Sequence, residues 1–452
     1  MLFLHRIKRC IMKRYISPTL VIICLVILVV YVLKVKDTVP VQEDAVQVIY
    51  SSMCVPAVKD IDWYNSDRKA PVFEDLEGVD FQISTDNSEA QKYFNQGLML
   101  AYGFNHAEAA RSFYQGTRED PECAMCYWGF AYVLGPNYNA GMEPDNFDRA
   151  WEAIQTAVKF SDNCTELERA LIIALSERYV ENPPEDRTVL DEAYADAMEK
   201  VYHKFPENSD VATMYVEALM DLHPWDLYDR DGIPREWTPK IVTTLEKALK
   251  KNPLHAGAHH LYIHAVEASA TPELGLVSAE ALHDLVMGSS HLLHMPSHIY
   301  INTGHYHEGS VANLRAVKVD SGYVTACHAQ GVYPLAYYPH NYHFLAATAT
   351  LEGDSRNAMM AATEVRELIN VQLMRDPAWS TLQHFYIIHY HVAIKFGLWD
   401  EIMKMENEGG EIPYPESVRH YARGMAYLAR NDINNAKQEL CNLELLMKHP
   451  DI

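Results

Sequence analysis

Small residues and a proline recur at helical intervals in residues 90–121, and this pattern constrains the fold more than any other feature. The stretch AQKYFNQGLMLAYGFNHAEAARSFYQGTREDP contains two apolar-periodic segments that meet near Asn105. Its characteristic positions are Gly97, Ala109, Phe113, Gly116 and Pro121. Small side chains let two antiparallel helices approach closely, and a proline ends the second helix. The pattern therefore predicts a helical hairpin.

The same spacing returns along most of the chain. It occurs at Ala150, Ile154 and Ala157; at Tyr194, Met198, Val201 and Pro206; and at Ile241, Leu245, Ala248 and Pro253. Later units are marked by turn residues at Gly304, Gly353, Gly397 and Asn431. The unit resembles the tetratricopeptide repeat (TPR), which pairs two helices and buries its apolar face by stacking on neighbours. We therefore expect an all-α, right-handed solenoid of about eight TPR-like hairpins over residues 88–448, with a concave groove.

Charge and hydropathy separate the amino-terminal segment from this body. Residues 1–15 form a basic tail, and residues 16–33 are uncharged, apolar and long enough to cross a bilayer as one transmembrane helix. A cleaved signal peptide fits less well, because no small-x-small cleavage site follows Leu33. Five basic residues precede the apolar segment and two directly follow it. This favours a signal anchor with a cytoplasmic N-terminus, a stalk and lead-in over residues 34–87, and a lumenal, periplasmic or extracellular body.

The net charge of the chain is -23, which argues against nucleic acid as a partner, because a phosphate backbone would be repelled. Six cysteines lie beyond the apolar segment, and their even number permits disulfides without fixing a pairing. Asn163 begins the sequon Asn-Cys-Thr and is a glycosylation candidate in a eukaryotic lumen.

Two insertions interrupt the repeat, at residues 135–144 and 223–234. Both are rich in turn-forming residues and aromatics, a composition typical of loops that border a pocket. We expect Trp225 and Asp226 of the second insertion to lie at such a rim.

Sixteen of the 22 histidines fall between His255 and His391, and their register is regular. His298, His294 and His291 lie 6, 10 and 13 residues before the turn at Gly304. Intervals of 4 and 3 place side chains on one helical face. The same offsets from the other turns, predicted near Ala270 and at Gly353 and Gly397, select His264, His260, His343, His340, His391 and His384, with Glu267 close to the first turn.

Imidazoles from neighbouring helices can converge on one ion, because packed helices lie about 8–10 Å apart. We expect His260, His264, His294 and His298 to bind a transition metal, with Glu267 and His291 as ligands or as residues that orient them. His340, His343, His384 and His391 are available for another ion. Such ligands suit copper, zinc or iron. The alternative is a metal-free polar groove.

The stretches HAGAHHLYIHAVEAS (255–269), HLLHMPSHIYINTGHYHE (291–308), YPLAYYPHNYHF (333–344) and FNHAEAARSF (104–113) resemble a little-characterised, mostly bacterial set of histidine-rich TPR proteins. The match covers residues of about 88–370. The histidine-rich site on the concave surface is expected over residues 255–391. This resemblance supports the fold and the site, and it implies no particular reaction.

Two functions follow as hypotheses. The first is a membrane-anchored, metal-dependent enzyme, either a hydrolase that uses metal-bound water or a copper or iron oxidoreductase. The second is a TPR scaffold whose groove binds an extended peptide or a partner protein without catalysis. In either case the groove would receive a small molecule or a peptide.

Overall fold

The computed structural model describes residues 63–327, 337–406 and 412–452, and residues 60–452 form one compact unit. The predicted basic tail, transmembrane span and most of the stalk lie in residues 1–62, outside the described residues. Within the described ranges, no helix combines the length and the apolar character needed to cross a bilayer.

The described residues are organised as α-helices joined by turns, and this part of the chain contains no strand. The helices are Ser88–Tyr102 (α1), His106–Glu119 (α2), Ala124–Leu134 (α3), Phe147–Phe160 (α4), Glu166–Ser176 (α5), Thr188–Lys204 (α6), Ser209–Asp221 (α7), Thr238–Lys251 (α8), Ala256–Val266 (α9), Leu276–Leu285 (α10), Ser290–His294 (α11), Pro296–Thr303 (α12), Tyr306–Cys327 (α13), Tyr338–Glu352 (α14), Ser355–Leu368 (α15), Thr381–Tyr386 (α16), Ile388–Lys395 (α17), Trp399–Lys404 (α18), Pro413–Ala429 (α19) and Ile433–Leu446 (α20).

Successive helices pack as helical hairpins, beginning with α1 and α2 and ending with α19 and α20. In two hairpins the first helix is divided into two short helices. The break lies at Met295 between α11 and α12, and at Ile387 between α16 and α17. When each divided helix is counted as one, the described ranges contain nine hairpins, against the prediction of about eight. The all-helical, TPR-like fold is confirmed.

The turns fall where the sequence placed them. Gly304, Gly353 and Gly397 have φ angles of 82°, 92° and 66°, a region that glycine enters without strain. Asn431 also has a positive φ, of 58°, which asparagine tolerates better than most residues. The turn predicted near Ala270 corresponds to the segment between the end of α9 and a short 3₁₀ helix.

Close packing in the first hairpins depends on glycine. The ring of Phe113 lies against Gly97 and Gly129, where an added Cβ would come within 2.9 Å and 2.3 Å of it. Phe113 is fully buried. The small positions of the repeat therefore accept an aromatic ring from the facing helix.

The first hairpin also packs against the fifth, because α1 contacts α9. The Tyr102 ring lies 2.6 Å from the position that a Cβ on Gly257 would take. Nearby, the backbone N–H of Gly288 donates to the carbonyl of Asp75 at 2.9 Å. These contacts enclose the histidine-rich helices, which the sequence had placed along a concave groove.

Candidate metal centre

The first of two histidine sets is formed by His260 and His264 of α9 with His291 of α11. One ring nitrogen from each residue lies within 4.8 Å of the others. All three residues are buried, with exposures of 0%, 2% and 2%. We call this group the first set.

The second set joins three different helices: His294 from α11, His298 from α12 and His340 from α14. Their ring nitrogens again lie within 4.8 Å of one another. His294 is fully buried, and His298 is 5% exposed.

This division differs from the predicted one. The sequence assigned His260, His264, His294 and His298 to one ion, whereas the structure separates the two pairs and completes each with a third histidine. His291, expected as a ligand or an orienting residue, belongs to the first set. The helix break at Met295 allows α11 to serve both sets, because His291 and His294 lie before it and His298 lies after it.

Glu267 connects the two sets. Its Oε1 lies 2.7 Å from Nδ1 of His264, and its Oε2 lies 2.5 Å from Nδ1 of His298. Glu267 directly follows α9, so the end of that helix places the carboxylate between the sets. A carboxylate bonded to Nδ1 fixes the tautomer and leaves Nε2 available as a ligand atom.

Two further acceptors fix the tautomers of His260 and His294. Nδ1 of His260 donates to the backbone carbonyl of Tyr102 at 2.6 Å. Nδ1 of His294 lies 2.7 Å from Oδ1 of Asn313, whose amide N–H donates to the carbonyl of Gly309 at 2.8 Å. Because a carbonyl oxygen only accepts, each Nδ1 carries a proton and each Nε2 presents a lone pair.

Six other ring nitrogens of the centre face one another or lack a hydrogen-bond partner. The Nε2 atoms of His294 and His298 are 2.9 Å apart, and those of His260 and His291 are 3.1 Å apart. Nε2 of His264 and Nδ1 of His291 are buried without a hydrogen-bond partner. Buried polar atoms are usually paired, so these two nitrogens are open to a ligand.

Burial disfavours the charged form of these imidazoles. It holds the pKa of His260, His291, His294 and His340 well below the usual range, and neighbouring histidines lower these values further. For Glu267, burial alone raises the pKa, but His298 and His264 together outweigh it and keep the pKa below its ordinary value. The Glu267 carboxylate thus lies beside imidazoles whose charged form is disfavoured by burial.

The structure divides the four histidines predicted for another ion. His340 belongs to the second set, whereas the ring of His343 stacks on Phe385 at 4.7 Å and lies 5.7 Å from the ring of His384. His384 and His391 are exposed. The break at Ile387 places these two on different helices, so their shared offset no longer selects one helical face.

Both insertions reach the first set. Rings of Tyr138 and Trp225 lie 5.3 Å and 5.7 Å from the ring of His264 and 5.1 Å from each other. Asp226 instead forms an exposed ion pair with Arg235 at 2.9 Å. Its side chain is therefore bonded within its own loop.

Sequence reasoning did not identify several residues of this centre. Phe104 stacks on His264 and His291 from the first hairpin, and Phe344 stacks on His298 at 4.4 Å. Tyr102 and Asn313 supply acceptors, as described above. The sequence signal for Phe104 was its place at the start of the stretch FNHAEAARSF. In the structure it precedes the capping residue Asn105 and has a φ of 54°.

Other predicted features lie elsewhere. Asn163 is exposed at the end of a 3₁₀ turn, where a glycan could be accommodated. Cys123, Cys126, Cys164 and Cys441 are free thiols. Cys54 lies outside the described residues.

Fold and site together define an all-helical, TPR-like protein with two three-histidine sets joined by a carboxylate, in which every histidine but the half-buried His340 is buried. Among solved structures, the chain is similar to the yeast Tom70, with 12% identity over 81% of this chain and 87% of that one, at a TM-score of 0.26. It is also similar to the TPR domain of P58(IPK), with 15% identity over 80% of this chain and 94% of that one, at a TM-score of 0.19.

These neighbours are TPR proteins, and the likeness concerns the fold alone. No protein-family model matches the chain, and no curated protein matches it either. The resemblance to a bacterial histidine-rich set stays a prediction.

Proposed function

We propose that the protein is a metalloprotein that binds two transition-metal ions, one in each histidine set. The observation that carries this proposal is the pair of facing Nε2 atoms in His294 and His298, 2.9 Å apart. Both residues have an acceptor at Nδ1, namely Asn313 and Glu267. In their neutral forms, two lone pairs would face each other, which is repulsive.

A positive charge between the two nitrogens removes this repulsion. A proton is one candidate, and a metal ion is the other. A proton shared by His294 and His298 would leave Nε2 of His264 and Nδ1 of His291 unsatisfied in the neighbouring set. A metal ion in each set would bind the facing nitrogens of the second set and the unpaired nitrogens of the first set.

Glu267 also favours a metal centre, because ligating histidines are commonly oriented toward their ion by a hydrogen bond to a carboxylate. Its two oxygens bond one histidine of each set. All-histidine sets of this kind suit copper, zinc and iron. The metal in such a site supplies Lewis acidity or redox chemistry, while the chain orients the ligands and excludes water.

A metal-dependent enzyme, either a hydrolase or a copper or iron oxidoreductase, is the activity we propose for this centre. Three histidines for each ion leave coordination positions for a substrate or water. We retain the expectation that the body is anchored to a membrane by residues 16–33 and lies outside the cytosol.

A scaffold that binds an extended peptide or a partner protein is the second candidate, and the TPR-like hairpins favour it. Such a partner would contact exposed faces of the hairpins, since the two histidine sets are enclosed. The two candidates differ in what they require of the histidines: only the first needs them to bind an ion.

The test is the metal content of protein purified without chelators, measured by elemental analysis. We expect about two ions per chain in the wild type. Replacing His264 and His298 by alanine removes one ligand from each set and should release both ions, while the helical content by circular dichroism stays unchanged. The matched control replaces His305 and His307, which are exposed, and should retain the metal. Substoichiometric metal in the wild type, or full metal in the double variant, would favour the scaffold.

A further inference from the structure

Trp225 is an exposed aromatic residue at one edge of the first set, and its ring lies 5.7 Å from the ring of His264. We infer that this edge admits a phenol-class ligand, whose ring packs against Trp225 and Tyr138 and whose oxygen binds the ion of the first set. The inference rests on the proposed metal centre and names the ligand class of that centre.

Trp225 has an unusual conformation for a large residue. Its exposure is 58%, and its φ is 60°, in the left-handed region that glycine favours. A bulky residue in this region costs free energy, and such residues concentrate at binding and catalytic sites. An exposed ring held under strain is better explained by contact with a ligand than by packing.

The loop that carries Trp225 is fixed to the helix that carries the ligands. The hydroxyl of Tyr228 donates to the carbonyl of Ala265 at 2.8 Å, directly beside His264. The indole N–H of Trp237 donates to the carbonyl of Asp226 at 2.9 Å. These bonds anchor the loop directly after Trp225, and the backbone N–H of Asp226 donates across Trp225 to the carbonyl of His223 at 3.1 Å. Together they keep the Trp225 ring near α9.

The two sets differ in what covers them. Around His264, the rings of Tyr138, Trp225 and Phe104 lie 5.3 Å, 5.7 Å and 6.0 Å away, and Nε2 of His264 has no partner. The second set is covered by Phe344, whose ring centroid lies within 4.9 Å of the ring of each of its three histidines. The first set therefore combines an unsatisfied ligand atom with an exposed aromatic cover.

The charge balance of the metal-loaded centre favours a ligand with an anionic oxygen. Six neutral imidazoles and the single carboxylate of Glu267 leave two divalent ions mostly uncompensated in a buried position. An oxygen anion on the ion would offset this charge, and the surrounding rings favour an aromatic group at offset or edge-to-face geometry. A phenolate meets both requirements, whereas a carboxylate without a ring meets only the first.

The experiment measures metal content first and then titrates the metal-loaded protein with 4-nitrophenol by calorimetry. The comparison ligands are 4-nitroanisole, which has the ring without an ionisable oxygen, and acetate, which has the charge without the ring. We expect 4-nitrophenol to bind at least about tenfold more tightly than either.

Trp225→Gly removes the ring and suits the positive φ, so the loop should keep its path. We expect this variant to retain the metal and to bind 4-nitrophenol about tenfold more weakly. The control Tyr421→Ala removes a ring that is 43% exposed on α19 and should change neither quantity.

The outcomes separate the two proposals. A wild-type protein without metal overturns the metal centre, and this inference with it. Intact metal with equal binding of 4-nitrophenol and 4-nitroanisole, or with unchanged affinity in Trp225→Gly, overturns the phenol inference alone.

Discussion

Helices α3 and α9 occupy the same place in their hairpins, yet they fill the interior with different chemistry. Each has 11 residues, and nearly every residue of both is buried. The α3 sequence AMCYWGFAYVL is apolar and aromatic, whereas the α9 sequence AGAHHLYIHAV buries three histidines. An apolar helix is stabilised by packing alone, but buried imidazoles need partners for their nitrogens.

The surroundings of the two helices agree with this difference. Beside α3, the fully buried ring of Phe113 contacts Gly129 closely. Beside α9, the contacts are hydrogen bonds from His260 and His264 to a backbone carbonyl and a carboxylate. The first region should therefore determine the stability of the fold, and the second should determine what it binds.

The largest expected effect tests the apolar region. Phe113→Ala should lower the free energy of unfolding by about 3–5 kcal/mol, because it leaves a cavity between two glycines. The metal content of the folded fraction should not change. Urea unfolding and elemental analysis measure the two quantities. Val277→Ala, at a side chain that is 74% exposed, is the control and should have little effect. Metal loss in folded Phe113→Ala would show that the two regions are not separable.

A smaller effect is expected from Glu267→Gln in the histidine region. The amide can accept from only one of His264 and His298, so one imidazole loses its orienting partner. Metal affinity should fall about 10–100-fold. Competition with a chromophoric chelator measures it, and Glu280→Gln, an exposed site on α10, is the control. Unchanged affinity would mean that the carboxylate does not orient the ligands.

The smallest effect concerns a histidine in the apolar region. Burial lowers the pKa of His106 to about 4 from 6.5. The unfolded chain therefore binds a proton between these pH values and the folded chain does not, so stability falls as the pH drops below 6.5. In metal-free protein, the free energy of unfolding of His106→Gln should fall by about 1 kcal/mol less than that of the wild type between pH 7 and pH 5.5.

Urea unfolding at the two pH values measures this difference. His203→Gln, whose side chain is 72% exposed, should behave like the wild type. Equal pH dependence in His106→Gln and the wild type would show that His106 titrates alike in both states.

Local patterns were sufficient for the hairpins. The turns at Gly304, Gly353 and Gly397 were predictable because a positive φ leaves a clear residue preference. The pairing of His264 with His260 and of His298 with His294 was predictable from the interval of four. The division of the four later histidines was not predictable, because only packing between helices places His340 in the second set and His343 beside His384.

The sequence by itself determined the helical repeat and the histidine-bearing faces, because both depend on intervals within one or two helices. Only the tertiary structure decided which histidines meet, since His291 and His340 join their sets through contacts between neighbouring hairpins. It also decided that the first hairpin closes over the centre, where Tyr102 supplies an acceptor and Phe104 a wall. Such long-range packing depends on the summed angles of many hairpins, and no local interval in the sequence encodes that sum.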